Sequence, residues 1–240
     1  MRYFRIFLLH FQQAFEYRSR SFIYFLLSFI NPLILLAYWG AVYKSANQGI
    51  SGLDFSSVTS YYLLLIVGSA MLVSHVEYDI AVEDIQEGGL VKYILRPFSY
   101  LIDRFVAELG WRIIQGIMGI IVLIILLSLF NIHLNIVSSP LMIVMLVISM
   151  IFGYCISFLC KMILGISAFW LTDFRGMQEI VDVLILVLGG FIMPLAFYPK
   201  GLQLITYALP FAYFAYFPIV IAQGKLEFIQ ALYILGGQIF

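Results

Sequence analysis

Ionisable residues are scarce here, 13 Lys and Arg against 13 Asp and Glu in 240 residues, so each one inside an apolar stretch needs a reason. Glu108 and Arg112 stand four apart, the spacing that sets an acid and a base on one helix face. Pairing near a membrane surface would spare each the ~2.5–3.5 kcal/mol that a lone charge costs at a bilayer centre. Glu77 and Asp79 close another apolar stretch, with Glu83, Asp84 and Glu87 beyond them. These acids form either a rim that receives a basic partner surface or a solvated edge. Lys161 ends the run 113–160, which holds no Asp, Glu, Lys or Arg. Its ammonium either faces a cavity or, the more economical reading, snorkels to the inner surface on its apolar stem.

Other chemistries find no support. His10, His75 and His133 are scattered, with no acidic or Cys partner at ligand spacing, so neither a metal site nor a catalytic residue is expected. Cys155 and Cys160, five apart in one apolar stretch, fall on different helix faces and suggest neither a disulfide nor a metal site. No Gly-rich loop ends in Lys and Ser or Thr, so ATP binding by that route is excluded, and no cofactor is expected on this chain. A formal net charge of zero argues against nucleic acid as a partner.

The elements that must carry these residues are membrane helices. With 63% hydrophobic residues and runs near the ~20 residues a spanning helix needs, the composition predicts an all-α polytopic membrane protein forming one transmembrane domain over 1–240. Candidate spans are Ser21–Tyr43, Phe55–Val76, Phe105–Phe130, Ser139–Cys160 with an extension, and Ile180–Tyr198. A sixth starts near Phe228 and has 13 residues to the end of the chain, short of a crossing, so it reads as a helix cut short. Residues 1–20 read as an amphipathic interfacial helix, with Phe4, Phe7, Leu8, Phe11 and Phe15 on one face, and not as a signal peptide.

Charge sets the expected orientation. A cytoplasmic N-terminus places ten bases inside or near the inner surface: Arg2, Arg5, Arg18, Arg20, Lys92, Arg96, Arg104, Arg112, Lys161 and Arg175. Lys44, Lys200 and Lys225 stay outside, a clear positive-inside bias. Two connections exceed simple turns. Residues 81–104 are expected to hold a short cytoplasmic helix along the membrane, broken from what precedes it by Gly88 and Gly89. Residues 199–225 combine Pro210 and Pro218 with many aromatics and no charge between Lys200 and Lys225, which predicts two short re-entrant helices over 206–223, broken near those prolines.

The N-terminal helix, the segment QEGGLVKYILRPFSYL, the pattern AFWLTDFRGMQEI and the proline-aromatic series from Gly190 to Ile219 together resemble the permease subunit of type-2 ATP-binding-cassette exporters. The resemblance covers nearly the whole chain. It implies six spans, an N-terminal cytoplasmic helix, a multi-pass location in the cell membrane, and pairing with a second permease, identical or similar. It also implies two copies of a separate ATPase that bind ATP and Mg. Glu87, Gly88, Gly89, Leu90, Lys92, Ile94, Leu95, Arg96, Pro97 and Phe98 would be the coupling segment docking on that ATPase, with Lys92 and Arg96 pairing to acids and Leu90, Ile94 and Leu95 filling a groove. Pro210, Phe211, Phe217 and Pro218 would belong to re-entrant helices capping the exit. Close approach of the two permeases is expected at Gly68, Ser69, Ala70, Gly189 and Gly190, where small side chains permit it.

A secondary transporter or channel without an ATPase should show an internal repeat and midplane ionisable groups, and neither is visible. An intramembrane enzyme should cluster His, Asp, Glu or Cys at one depth, which the scattered histidines do not do.

Overall fold

In the computed structural model, residues 5, 7–12, 18–46, 54–94, 99–130, 132, 134, 136–171 and 173–239 are described. Among them all regular structure is helical. The helices are α1 (Arg18–Ala46), α2 (Phe55–Leu72), α3 (Val76–Tyr78), α4 (Val91–Ile94), α5 (Tyr100–Phe130), α6 (Pro140–Ile166), α7 (Phe174–Leu188), α8 (Lys200–Ala208), α9 (Phe211–Phe214), α10 (Tyr216–Ala222) and α11 (Phe228–Ile239). A π-helical stretch, Asp79–Gln86, continues α3. Among the described residues, three of the resulting rods are long and apolar enough to cross a membrane: Phe55–Gln86, Tyr100–Ser128 and Pro140–Phe169. Of the expected N-terminal helix, 7–12 is helical, with Phe7 and Phe11 stacked and set against Gly110 of α5. Arg5 is helical as well, and the rest of 1–17 lies outside the described residues.

The centre of the molecule is α2, capped by the Asp54 carboxylate, which accepts from the Ser57 N–H. It is flanked by α1 and α5, and α10 and α6 close its other side. Glycines let helices meet closely: Gly119 of α5 lies against Val67, and Gly165 of α6 against Glu77 and Ile80. A Cβ at Gly153 of α6 would lie 2.8 and 2.9 Å from the carbonyl oxygens of Tyr213 and Phe214.

Several boundaries differ from the sequence reading, each for a physical reason. The second apolar stretch breaks at 73–75 and then runs on to Gln86, so the connection expected over 81–104 shrinks to a turn and the short α4. The third span begins at Tyr100 instead of Phe105, because Tyr100 and Arg104 have partners that let the helix start earlier. The fourth span does extend, through Ile166 and a 3₁₀ turn at Ser167–Phe169.

The fifth apolar stretch is not one helix to Tyr198. Helix α7 starts at Phe174, capped by Asp173, and its 15 residues cover only ~22 Å at 1.5 Å each, less than the ~30 Å of a hydrocarbon core. Gly190, at φ +82°, ends it by turning the chain. Helix α11 is also short, 12 residues.

Between α7 and α11 the chain turns back. Pro194 and Ala196 line the same small cavity as Ser57, Gln223 and Lys225, so both limbs of this segment end at one end of the molecule. The contact of Tyr213 and Phe214 with Gly153, thirteen residues into α6, puts the bottom of the bend ~20 Å along that helix. The break at Pro210 is where the prolines predicted it. The second break falls at Ala215, not at Pro218, which sits in the first turn of α10 where its missing N–H is not needed.

Candidate functional site

Among the described residues, most charged side chains gather at the end of the molecule that holds 77–94, 100–112, 161 and 174–182, and the aromatic bend lies at the other end. Three polar clusters organise the charged end: the first closes a helix break, and the other two tie separate helices together.

The first cluster closes the break at 73–75. Arg112 Nε donates to Glu108 Oε1 at 2.7 Å, and the same oxygen accepts from the His75 N–H at 2.9 Å and the Ser74 hydroxyl at 3.2 Å. The Ser74 N–H donates to Ser157 Oγ of α6 at 2.9 Å. Backbone groups released where a helix ends need such partners in a dry interior. The expected i,i+4 pair therefore exists, but it is buried and joins α5 to α2.

The second cluster is centred on Lys161, which is 2% exposed and does not snorkel. Its ammonium donates to Glu77 Oε1 at 2.7 Å and to Asp182 Oδ1 at 2.6 Å. Gln178 of α7 donates to the same Glu77 oxygen at 3.4 Å. Burial of the cation is tolerated because carboxylates from two other elements neutralise it; stranding either sign alone there costs ~3–5 kcal/mol. Asp182 was not a candidate in the sequence, although it is the sole charge in 180–198, and a lone carboxylate in an apolar stretch signals a buried cation nearby.

The third cluster centres on Asp84, fully buried in the π-helical stretch. It accepts from Tyr100 Oη at 2.7 Å and Arg104 Nε at 2.8 Å, and lies 3.6 Å from the Lys92 ammonium. Tyr93 packs edge-on against Tyr100 at 4.9 Å, with the Arg104 guanidinium 5.6 Å above its ring. Burial pushes the Tyr93 hydroxyl up to about 12. The acids beyond the second span are therefore neither a docking rim nor a solvated edge as a group, since Glu77 and Asp84 are internal counterions.

This third cluster holds the expected coupling segment. Gly88 takes φ +78°, open to glycine without strain, and a Cβ at Gly89 would fall 2.5 Å from the Glu83 carbonyl oxygen. The turn delivers α4 with Val91 and Ile94 facing outward, Ile94 80% exposed, while Leu90 is half-buried and Glu87 and Lys92 are exposed. Leu95, Arg96, Pro97 and Phe98 lie outside the described residues.

At the aromatic end, carbonyls freed by the end of α7 are taken up by tyrosines. Tyr61 donates to the Gly190 carbonyl at 2.8 Å, Tyr198 to that of Val187 at 2.7 Å, and Tyr62 to that of Ile192. The Trp39 N–H donates to Tyr62 Oη at 2.8 Å, and Trp39 stacks on Phe197. Gln223 donates to the Ser57 carbonyl at 2.9 Å, pinning the returning limb to the start of α2. Burial lowers the Lys225 pKa, with nearby Asp54 pulling the other way. Of the re-entrant candidates, Phe217 and Pro218 are buried, whereas Pro210 and Phe211 are half-buried.

The small residues expected at a subunit contact serve this chain's own packing. Gly68 sits against Ile219, Ala70 is buried facing Gly119, and Gly190 lies under Tyr61 and Tyr216. Gly189 is buried at the end of α7, and Ser69 folds its hydroxyl onto the Ile66 carbonyl. Among the described residues, α7 leaves Met177, Ile180, Val183, Leu184 and Leu186 outward, and apolar faces are likewise uncovered on α5 (Ile117, Ile121, Ile124) and α6 (Leu141, Val144, Val147, Ile151).

Residues 22–239 match the family model described as "ABC-2 family transporter protein". The chain belongs to that family. No curated protein and no solved structure matches it. As an ABC-2 permease it is a membrane-embedded transport component of an ABC transporter and not itself an enzyme, and its long apolar helices agree with a multi-pass membrane protein.

Proposed function

We propose that this permease is the membrane subunit of an ATP-driven exporter, that it forms the substrate pathway with a second, identical or similar permease, and that a separate ATPase binding ATP and Mg drives it from the charged end. The charged end then faces the cytoplasm with the N-terminus, α1 joins the three long rods in crossing the membrane, the shorter α7 and α11 stand where the fifth and sixth spans were expected, and the protein sits in the cell membrane. The positive-inside bias of the sequence supports this orientation.

The single observation that carries the reading is α4. It presents Val91 and Ile94 outward from a turn bolted through buried Asp84 to α5 and to the π-helical stretch. An exposed apolar prong on a fixed base suits a groove on a partner. The pathway would run along α7, whose half-exposed Asp182 is costly against lipid and belongs beside protein or water. The aromatic bend would close the outer mouth.

The test is Ile94→Asp in a correctly inserted protein. Copurification of the ATPase should fall at least about tenfold, roughly the 1.4 kcal/mol expected when an apolar anchor is lost. Unchanged ATPase binding and unchanged transport-linked hydrolysis would overturn the assignment.

A further inference from the structure

Lys161 has two counterions where one would neutralise it, and the two differ in every structural respect. Glu77 is buried with the lysine, on the segment against which Gly165 seats α6 so closely that an added Cβ would lie 2.8 Å from Ile80. Asp182 has a side chain 49% exposed, on a helix whose buried residues are Phe174 and Ile185. Phe174 is anchored at the foot of α7 among Ala81, Leu164 and Ala168. Eight residues further along, the Lys161–Asp182 bond ties α7 to α6 by charge, beside the weaker Gln178–Glu77 bond, while Tyr198 and Tyr61 hold the carbonyls of Val187 and Gly190 at the far end.

We infer that Asp182–Lys161 is a releasable catch that lets the middle of α7 move away from α6 between its Phe174 foot and its tyrosine-held far end, with Glu77 as the counterion that stays behind. Removing one partner of a buried ion pair is ordinarily prohibitive because the other is stranded. Here it is not. Glu77 remains on the ammonium, and among the described residues its Oε2 has no hydrogen-bond partner, so an acceptor stands ready for the donor that Asp182 gives up. Asp182, already half-exposed, passes to water or to a neighbouring subunit. A two-state contact of this kind is what a moving transport helix needs. The role in transport rests on the function proposed above, whereas the catch rests on geometry alone.

The experiment uses the full chain in lipid nanodiscs, without any ATPase, with Cys155 and Cys160 replaced by Ser. Spin labels replace two outward residues, Ile163 of α6 and Val183 of α7, and their separation is measured by pulsed electron resonance. Asp182→Asn is expected to shift the distribution toward a longer separation, raising the ratio of open to closed states at least fivefold. Glu77→Gln is expected to keep the parent's closed separation, because Lys161 then depends on Asp182. An unchanged distribution in Asp182→Asn overturns the catch, as does equal opening in Glu77→Gln. Should Glu77→Gln fail to give monodisperse protein, the Asp182→Asn comparison decides by itself. Unchanged ATPase binding by Ile94→Asp in the separate assay would sink the proposed function and leave this distance result standing.

Discussion

Arg112 shows how one residue can hold a break in a membrane helix. Its guanidinium engages Glu108 and Gln115 and reaches toward the Ala70 carbonyl, while Glu108 takes the His75 N–H, so the pair together serves both sides of the 73–75 break. Arg112→Met leaves the Glu108 carboxylate buried without its counterion, and a loss of ~3–5 kcal/mol is expected. The double variant Arg112→Met with Glu108→Gln removes the stranded charge and should recover part of that loss. Thermal unfolding of the purified protein in detergent checks both; a double variant no more stable than the single one would show that the charge is not the cause.

At the scale of elements, the proposed coupling segment is built from turn stereochemistry. Gly89 allows the chain to fold back so that the Gly89 N–H reaches the Glu83 carbonyl and the Leu90 N–H that of Asp84. A side chain there meets backbone, not a movable tip. Gly89→Ala should therefore displace α4 and lower ATPase copurification several-fold, with little change in thermal stability because α4 buries none of its residues. Retained binding at parental strength would show that the position of α4 is not fixed by this turn. The same element marks a limit of the sequence: the glycine break was legible from Gly88 and Gly89, but the clamp through Asp84 was not. Lys92, Tyr100 and Arg104 reach one carboxylate only because three separate segments converge on it.

The whole molecule has a charged end and an aromatic end, and the returning segment determines that both limbs of the bend share the second. Gln223, a natural choice for a topology probe, is buried against Ser57, so exposed Lys200 and Lys225 are the better positions. In whole cells, cysteines at Lys200 and Lys225 should both react with an impermeant reagent from outside, and one at Glu87 only after permeabilisation. Labelling of Lys200 and Lys225 from opposite sides would show that the segment crosses.

From sequence alone came the all-helical membrane character, the starts of the three long rods to within about five residues, the Glu108–Arg112 pair, the glycine turn and the chain break at Pro210. Each of these follows from local rules: apolar run length, i,i+4 spacing, the special conformations of Gly and Pro. Tertiary structure decided the rest. It decided that Lys161 is shared between Glu77 and Asp182, residues 84 and 21 positions away, that Gly68 accommodates Ile219, and that α7 stops at Leu188. Such outcomes depend on which side chains arrive at a common depth, because in a medium without water a charge or a freed carbonyl must take whatever partner packing delivers.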